Sequence, residues 1–390
     1  MTRRALILFL SFLLFFGASP IINALPIKTI FVIIFISGII FNLKPNLKKK
    51  IIVFSLIYLF SIIFTCIFNQ TIVPLYFGLS YLFVLYLSFE LVSLDPNYFV
   101  NKLTTIFKIL LLFAVLAFIY FNIGGPPLFS LKNADNRLAY FYLSSFNTGN
   151  ETIRPTGIYD EPGAFSFFIC LLVVYRDILN KSKDSSLMIL ILGFVTQSLT
   201  HIIFFCIYLF NYLTLLKNFN FKSLTKFIFV FSFIFISSFI ILTSSYSEYT
   251  QNRTEKYIND PNSTGRILSM TLIYEELLQD HRKIIFGLDK KGAERELRYL
   301  EDNDFGENVL TPIVYGGLLA SWPYYLFLLY LIYHFIFINR NISLIGCLVL
   351  LVQRPYFLEL PYSFPMAFLG LLLLSSSGSR NITTVLNYKA

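Results

Sequence analysis

The residues best suited to chemistry stand in one stretch, Arg154 to Phe168, RPTGIYDEPGAFSFF. An arginine, turn-forming prolines and glycines and two adjacent acids run there directly into an apolar segment. Arginine presents a planar fork that donates to two phosphate oxygens at once and keeps its proton at any physiological pH. Placed just outside a bilayer, Arg154 suits an anionic ligand arriving from the lipid side. A carboxylate at an apolar boundary has its pKa raised, which brings it toward use as a base for a hydroxyl nucleophile, and Glu161 is the best placed. The same residues also have a plain structural reading. Asp160 or Glu161 can cap a helix whose first turn holds Pro162, and Arg154 can pair with either acid to stiffen the loop.

Further candidates lie in other polar segments. Arg266 opens a stretch with apolar residues at helical spacing, Ile267, Met270, Tyr274, Leu277 and Leu278, and either grips an anion or snorkels to headgroups. His281 offers an imidazole suited to proton transfer, although Arg282 and Lys283 beside it also fit a solvated surface. His201 follows Gln197, Ser198 and Thr200 at the mouth of an apolar segment, where it can touch a ligand; His334 reads as interfacial. Arg137, Gly157, Asp160, His201 and Asn303 are the substrate-binding candidates, and Arg154, Glu161, Arg266 and His281 the catalytic ones. Neither a P-loop nor GxSxG nor HExxH occurs, which sets aside ATP hydrolysis, serine hydrolysis and zincin chemistry. Cys66, Cys170, Cys206 and Cys347 all fall in apolar segments without CxxC spacing, so they read as small core hydrophobes.

The elements that must hold these residues are membrane helices. Of 390 residues, 56% are hydrophobic and only 14% charged, leaving too little polar surface for a soluble protein of this length. The net charge of +9 fits the positive-inside rule better than nucleic acid. With a ruler of about 20 apolar residues per crossing, the chain gives twelve segments: 5–22, 27–43, 51–68, 73–92, 106–123, 163–180, 186–199, 202–216, 226–243, 309–337, 342–353 and 363–377. The first, behind Arg3 and Arg4, is expected to be a retained helix rather than a cleaved signal. An N-in, C-in arrangement puts most lysines and arginines of the short loops on one side. The expectation is an all-α polytopic protein, one transmembrane domain over 1–390, with long outer loops at 124–162 and 244–308. Glu90 is expected to snorkel or pair with Lys102. Arg354 and Glu359 mark the last outer turn and can pair locally.

Gly124-Gly125-Pro126-Pro127 ends the fifth segment, since proline cannot continue a helix there. In the second loop Asp260-Pro261-Asn262 turns the chain ahead of an amphipathic helix near 263–279, expected to lie on the membrane face. Ile284-Ile285-Phe286 then stops at Gly287. Acids gather at Glu301, Asp302, Asp304 and Glu307 before a span that carries Gly316-Gly317.

Taken together, Arg154, Gly157, Glu161 and Pro162 in an R-x-x-G-x-x-x-E-P context, Arg266 at the head of a second outer loop, the run IIFGLD and the following VLTPIVYGGLLA resemble the O-antigen polymerase and ligase superfamily. In that family's ligase branch a histidine stands in an H-[NSQ]-x-x-L-x6-G pattern. Leu310 and Gly317 fit the tail of this pattern, but Gly306 and Glu307 occupy the histidine and its neighbour, which favours polymerase. What the resemblance implies is a glycosyltransferase that moves a growing polysaccharide from one undecaprenyl pyrophosphate carrier onto a new lipid-linked repeat unit on the outer face. Membrane lipids, a chain-length regulator and a flippase would be its partners. Asp302-Asn303-Asp304 spells D-x-D, yet nucleotide sugars are cytoplasmic and arginines can handle pyrophosphate alone, so no metal or other cofactor is expected. A ligase of the same superfamily and a lipid-linked oligosaccharide flippase are the competing readings.

Overall fold

Pro162 begins the helix around which the others stand. The computed structural model describes residues 3–20, 49–70, 72–132, 138–143, 145–147, 154–215, 281–287, 309–339, 342–353 and 360–387. The segments expected at 27–43 and 226–243, the amphipathic helix near 263–279, the acids of 301–307 and the Arg354 and Glu359 turn lie outside the described residues, as do Arg137, Arg266 and Asn303. The described helices are α1 (Arg3–Phe15), α2 (Lys49–Asn69), α3 (Val73–Leu94), α4 (Pro96–Asn122), α5 (Pro162–Ile178), α6 (Lys183–Gly193), α7 (Leu199–Leu215), α8 (His281–Phe286), α9 (Thr311–Tyr333), α10 (Ser343–Gln353) and α11 (Leu360–Asn387).

Helix α5 is apolar all round, and every residue from Ala164 to Asp177 is buried. A helix with no polar stripe has no face to give to water, and this one is enclosed by α4, α6, α7, α10 and α11, with Phe15 of α1 against Phe168 at 5.1 Å. Helix α2 is its opposite. Phe60, Phe64, Ile67 and Phe68 are exposed along it, which suits a surface solvated by hydrocarbon. The chain is a membrane protein on this evidence: four helices among the described residues, over Ile51–Asn69, Pro74–Leu94, Pro96–Asn122 and Gly316–Ile338, are long and apolar enough to cross.

Ion pairs fix one end of the bundle. Arg3 meets Glu90 at 2.8 Å and Arg4 meets Asp95 at 3.3 Å, which corrects the expected Glu90 pairing with Lys102; that lysine instead lies 5.5 Å over the Tyr98 ring. Asp95 also caps α4, accepting from the Tyr98 N–H at 2.9 Å, with Pro96 in the first turn. Helix α4 therefore starts ten residues before the predicted 106. An apolar ruler finds only lipid-facing length, whereas a cap and proline start the helix in the polar zone.

Two departures shape the opposite end. The expectation of an all-α chain misses a three-stranded antiparallel meander, β1 (Phe129–Lys132), β2 (Leu138–Tyr142) and β3 (Ser145–Asn147). Phe129 pairs with Phe141 in register and their rings stack at 4.6 Å. Buried Tyr142 packs on Phe121 of α4 at 5.2 Å, so the sheet grips the helix from which its own loop departs. The segment predicted over 186–199 also stops early. Helix α6 ends at Gly193, a 3-10 turn follows over Phe194–Thr196, and Gln197 adopts a left-handed conformation with φ 50°. Eleven residues give α6 a length of only about 16 Å.

Candidate functional site

The loop ahead of α5 is plugged into the bundle by a tyrosine. Tyr159 is fully buried, stacks on Phe168 at 4.5 Å with the rings 11° from parallel, and donates its hydroxyl to the Phe15 carbonyl at 3.4 Å. The turn closes on itself: the Tyr159 N–H donates to the Thr156 carbonyl at 3.1 Å, and the Thr156 hydroxyl donates back to the Tyr159 carbonyl at 2.6 Å. Gly157 has φ +59°, and a Cβ there would stand 3.0 Å from the Phe165 ring. Glycine is needed for both the angle and the approach.

Arg154 leaves this turn and donates from Nη2 to the carbonyl oxygen of Gln197 at 3.2 Å. The depth of that contact follows from helix register. On α5 and α7, Cys170 faces His201 and Asp177 faces Tyr208, both pairs 31 residues apart. The helices therefore run parallel, and Leu199, where α7 begins, is level with Phe168. Phe168 lies six residues into α5 beyond Pro162, so α7 begins about 9 Å below the α5 start, with the turn over Phe194–Gln197 projecting from it. Arg154 sits half-buried over this turn. Ser198 and Thr200 are buried beside the tip. A guanidinium held over a polar hairpin tip is an arrangement that can receive an anion.

Glu161 takes the N-cap position of α5 with extended backbone, φ −137° and ψ 148°. Its carbonyl accepts from the Phe165 N–H at 3.1 Å, and Pro162 fills the first turn as the sequence predicts. The carboxylate makes no capping hydrogen bond. Backbone and proline start the helix, so capping does not account for the acid. Asp160, half-buried, adjoins it.

The two histidines part company. His201 is fully buried. Its Nε2 lies 2.7 Å from the Leu190 carbonyl, which can only accept, so Nε2 carries the proton and Nδ1 accepts from the Cys170 thiol at 3.5 Å. Gly193 leaves space for the ring: a Cβ there would lie 2.3 Å from it. His201 thus holds the hairpin closed from inside, and a ligand at the tip would meet the turn it supports. His281 is exposed at the start of α8. That short helix packs on α2 and α9, where the Asn69 side chain donates to the Phe286 carbonyl at 2.7 Å and Phe68 stacks on Phe286 at 3.9 Å. Gly287 and Gly316-Gly317 let the two backbones touch, since a Cβ on Gly317, φ +62°, would lie 2.2 Å from the Ile285 carbonyl oxygen. Arg154 and His281 therefore share one end of the bundle on separate helix groups, and the structure brings Arg154, Gly157, Asp160 and Glu161 together without His281.

Sequence reasoning passed over one buried polar cluster. At the Arg3 end, Arg176 donates to Ser186 at 2.9 Å, Thr104 at 3.0 Å and the Ser182 carbonyl at 3.1 Å, tying α4, α5 and α6. Asp177 accepts from the Tyr208 hydroxyl at 3.1 Å. The available signal was the adjacent Arg-Asp pair closing an apolar run, which also reads as an ordinary interfacial end. Among the described residues, no group of three or more His, Cys, Asp or Glu is placed to hold a metal ion. No family model, curated protein or solved structure matches the chain.

Proposed function

We propose that the chain is a membrane glycosyltransferase of the O-antigen polymerase kind, joining undecaprenyl-pyrophosphate-linked oligosaccharide repeat units outside a bacterial cytoplasmic membrane. The observation that carries this reading is Arg154, held at 3.2 Å on the Gln197 carbonyl at the tip of the α6–α7 hairpin. The proposal includes twelve spans, N-in and C-in, with both long loops outside. A hydroxyl of the acceptor repeat unit attacks the anomeric carbon of the donor glycan, forming the new C–O bond. The bond from that carbon to the pyrophosphate oxygen breaks, and the lipid pyrophosphate leaves with the electron pair. Arg154, joined by Arg266 of the second loop, stabilises the leaving charge, the type of contribution worth about 10²-fold or more per donor. Glu161, at the head of α5 next to the Arg154 loop, accepts the hydroxyl proton, and His281 is a further catalytic candidate on the separate α8 group.

A flippase for the same lipid-linked units is the second reading, favoured by one observation: Arg176 and Asp177 are buried inside the bundle, and charged residues within membrane helices are functional candidates by default. Deleting the gene and resolving the surface polysaccharide on a gel separates the readings. Single repeat units in place of a ladder support polymerase, and unattached long chains support a ligase. Total loss with accumulation inside supports the flippase.

A further inference from the structure

The β-meander is apolar on the face that it turns away from the bundle. Residues paired across an antiparallel sheet point to the same side, and neighbours along a strand point to opposite sides. Phe129 pairs with Phe141 and Ser130 with Tyr140, and Tyr140 and Tyr142 share the side that packs on Ala117, Phe118 and Phe121 of α4. Phe129, Leu131 and Phe141 therefore occupy the side facing away from the helix. Phe129 is 45% exposed, and Leu128 just ahead of it 57%; Leu131 and Phe141 are half-buried. A sheet already packed on its first face gains nothing by showing rings to water on its second, so the second face meets something apolar.

Its place says what that is. Along α4, Ile109, Leu112, Phe113, Leu116 and Ile119 are exposed at helical spacing, the stripe that a spanning helix gives to hydrocarbon. The exposed apolar run continues past the helix end through Ile123 and Leu128 into Phe129. Depth agrees with this continuity. Lys108, exposed, is the last charge on α4, and the residues from Ile109 to the helix end at Asn122 rise only about 21 Å. A snorkelling Lys108 adds about one turn, which still falls short of the ~30 Å of hydrocarbon. The sheet packed on the last turns of α4 thus lies at the membrane boundary and not in free solution. Open sheet edges do not survive in hydrocarbon, where nothing satisfies their backbone groups, whereas at headgroup level water still reaches them and aromatic rings are favoured. We infer that the meander is an interfacial anchor: its Phe129–Phe141 face lies in the phospholipid surface of the leaflet at the Arg154 end and holds the loop between α4 and α5 down on the membrane. The inference stands without the enzymatic reading given above.

Trp322 is the single tryptophan of the chain, so a reporter can be moved onto the sheet. In a Trp322→Phe background, Phe129→Trp keeps an aromatic ring against Phe141, and Leu128→Trp replaces an exposed side chain, which leaves the packing of the bundle alone. Each full-length variant is reconstituted in phosphatidylcholine vesicles. Part of the lipid is brominated near the carbonyl end or near the methyl end of its chains, and iodide is added to the water in a parallel series. Both reporters are expected to emit at shorter wavelength than free tryptophan, to lose more emission to the shallow bromines than to the deep ones, and to be quenched by iodide less than free tryptophan is. Iodide quenching equal to that of free tryptophan, with no loss to either lipid, puts the sheet in water and overturns the anchor. Protection from all three quenchers means that protein covers the face, a second copy or another segment of this chain, and overturns it too. Greater loss to the deep bromines places the sheet in hydrocarbon and overturns the interfacial position.

Discussion

Arg154 donates to the backbone carbonyl of Gln197 across 43 residues of sequence. Gln197 is able to offer that carbonyl because it turns left-handed, φ 50°, where the hairpin reverses. The guanidinium is thereby positioned by main chain on both sides: the buried turn of Thr156, Gly157 and Tyr159 behind it and the hairpin tip beneath it. The bond from Nη2 to main chain pre-orients the fork, which lowers the ordering cost of gripping an anion.

Arg154→Ala is expected to abolish the polysaccharide ladder in a complementation assay while the protein still accumulates in the membrane, with a rate loss of about 10²-fold or more. Arg154→Lys keeps the charge but loses the bidentate fork and is expected to leave only short chains. A full ladder from Arg154→Ala would sink the site.

Glu161→Gln separates chemistry from folding. Glutamine keeps the size and much of the hydrogen-bonding capacity of the side chain, so melting of the purified protein should shift far less than activity, whereas a general base contributes about 10²- to 10⁴-fold. A loss of thermal stability matching the loss of polymer would return Glu161 to a structural role.

Tyr159→Ala removes a fully buried ring stacked on Phe168 and should destabilise by about 3–5 kcal/mol. Tyr159→Phe keeps the ring and loses the 3.4 Å bond to Phe15, at about 1 kcal/mol. Thermal unfolding in one detergent checks the ordering, and equal effects from the two variants would mean that the ring does not anchor the loop.

Gly317→Ala places a Cβ 2.2 Å from the Ile285 carbonyl. Main chain cannot yield as a side chain does, and a non-glycine residue at this angle adds about 1–3 kcal/mol of strain. Helix α8 should detach from α9, and limited proteolysis near Arg282 and Lys283 should accelerate severalfold. Gly163→Ala, in the same protein but at an ordinary helical position, should leave cleavage unchanged.

The readings that survived rest on neighbours in sequence. Apolar runs mark α2, α3 and α9 within a few residues, because the lipid selects composition over a whole helix length. Pro162 marks the start of α5, because a fixed φ and a missing N–H act on the first turn alone. In the sequence Gly157 reads as a ligand contact; its structural need, a positive φ against Phe165, is visible only with the turn. Glu90 found Arg3 rather than Lys102, since which helix end stands beside which is settled by packing. The meander went unseen because Phe129–Lys132 and Leu138–Tyr142 are short, and their alternation gains meaning only when Tyr142 finds Phe121.

By itself the sequence determined that this is a helical membrane protein, and that an arginine and two acids precede a helix started by proline. Those features depend on residues within a turn of one another. The tertiary structure alone decided that α5 is enclosed on all sides, that α6 breaks at Gly193, and that Arg154 reaches the turn at Gln197. Each of these depends on the register between helices far apart in the chain, which is set by how their side chains interlock and leaves no periodic trace in either segment.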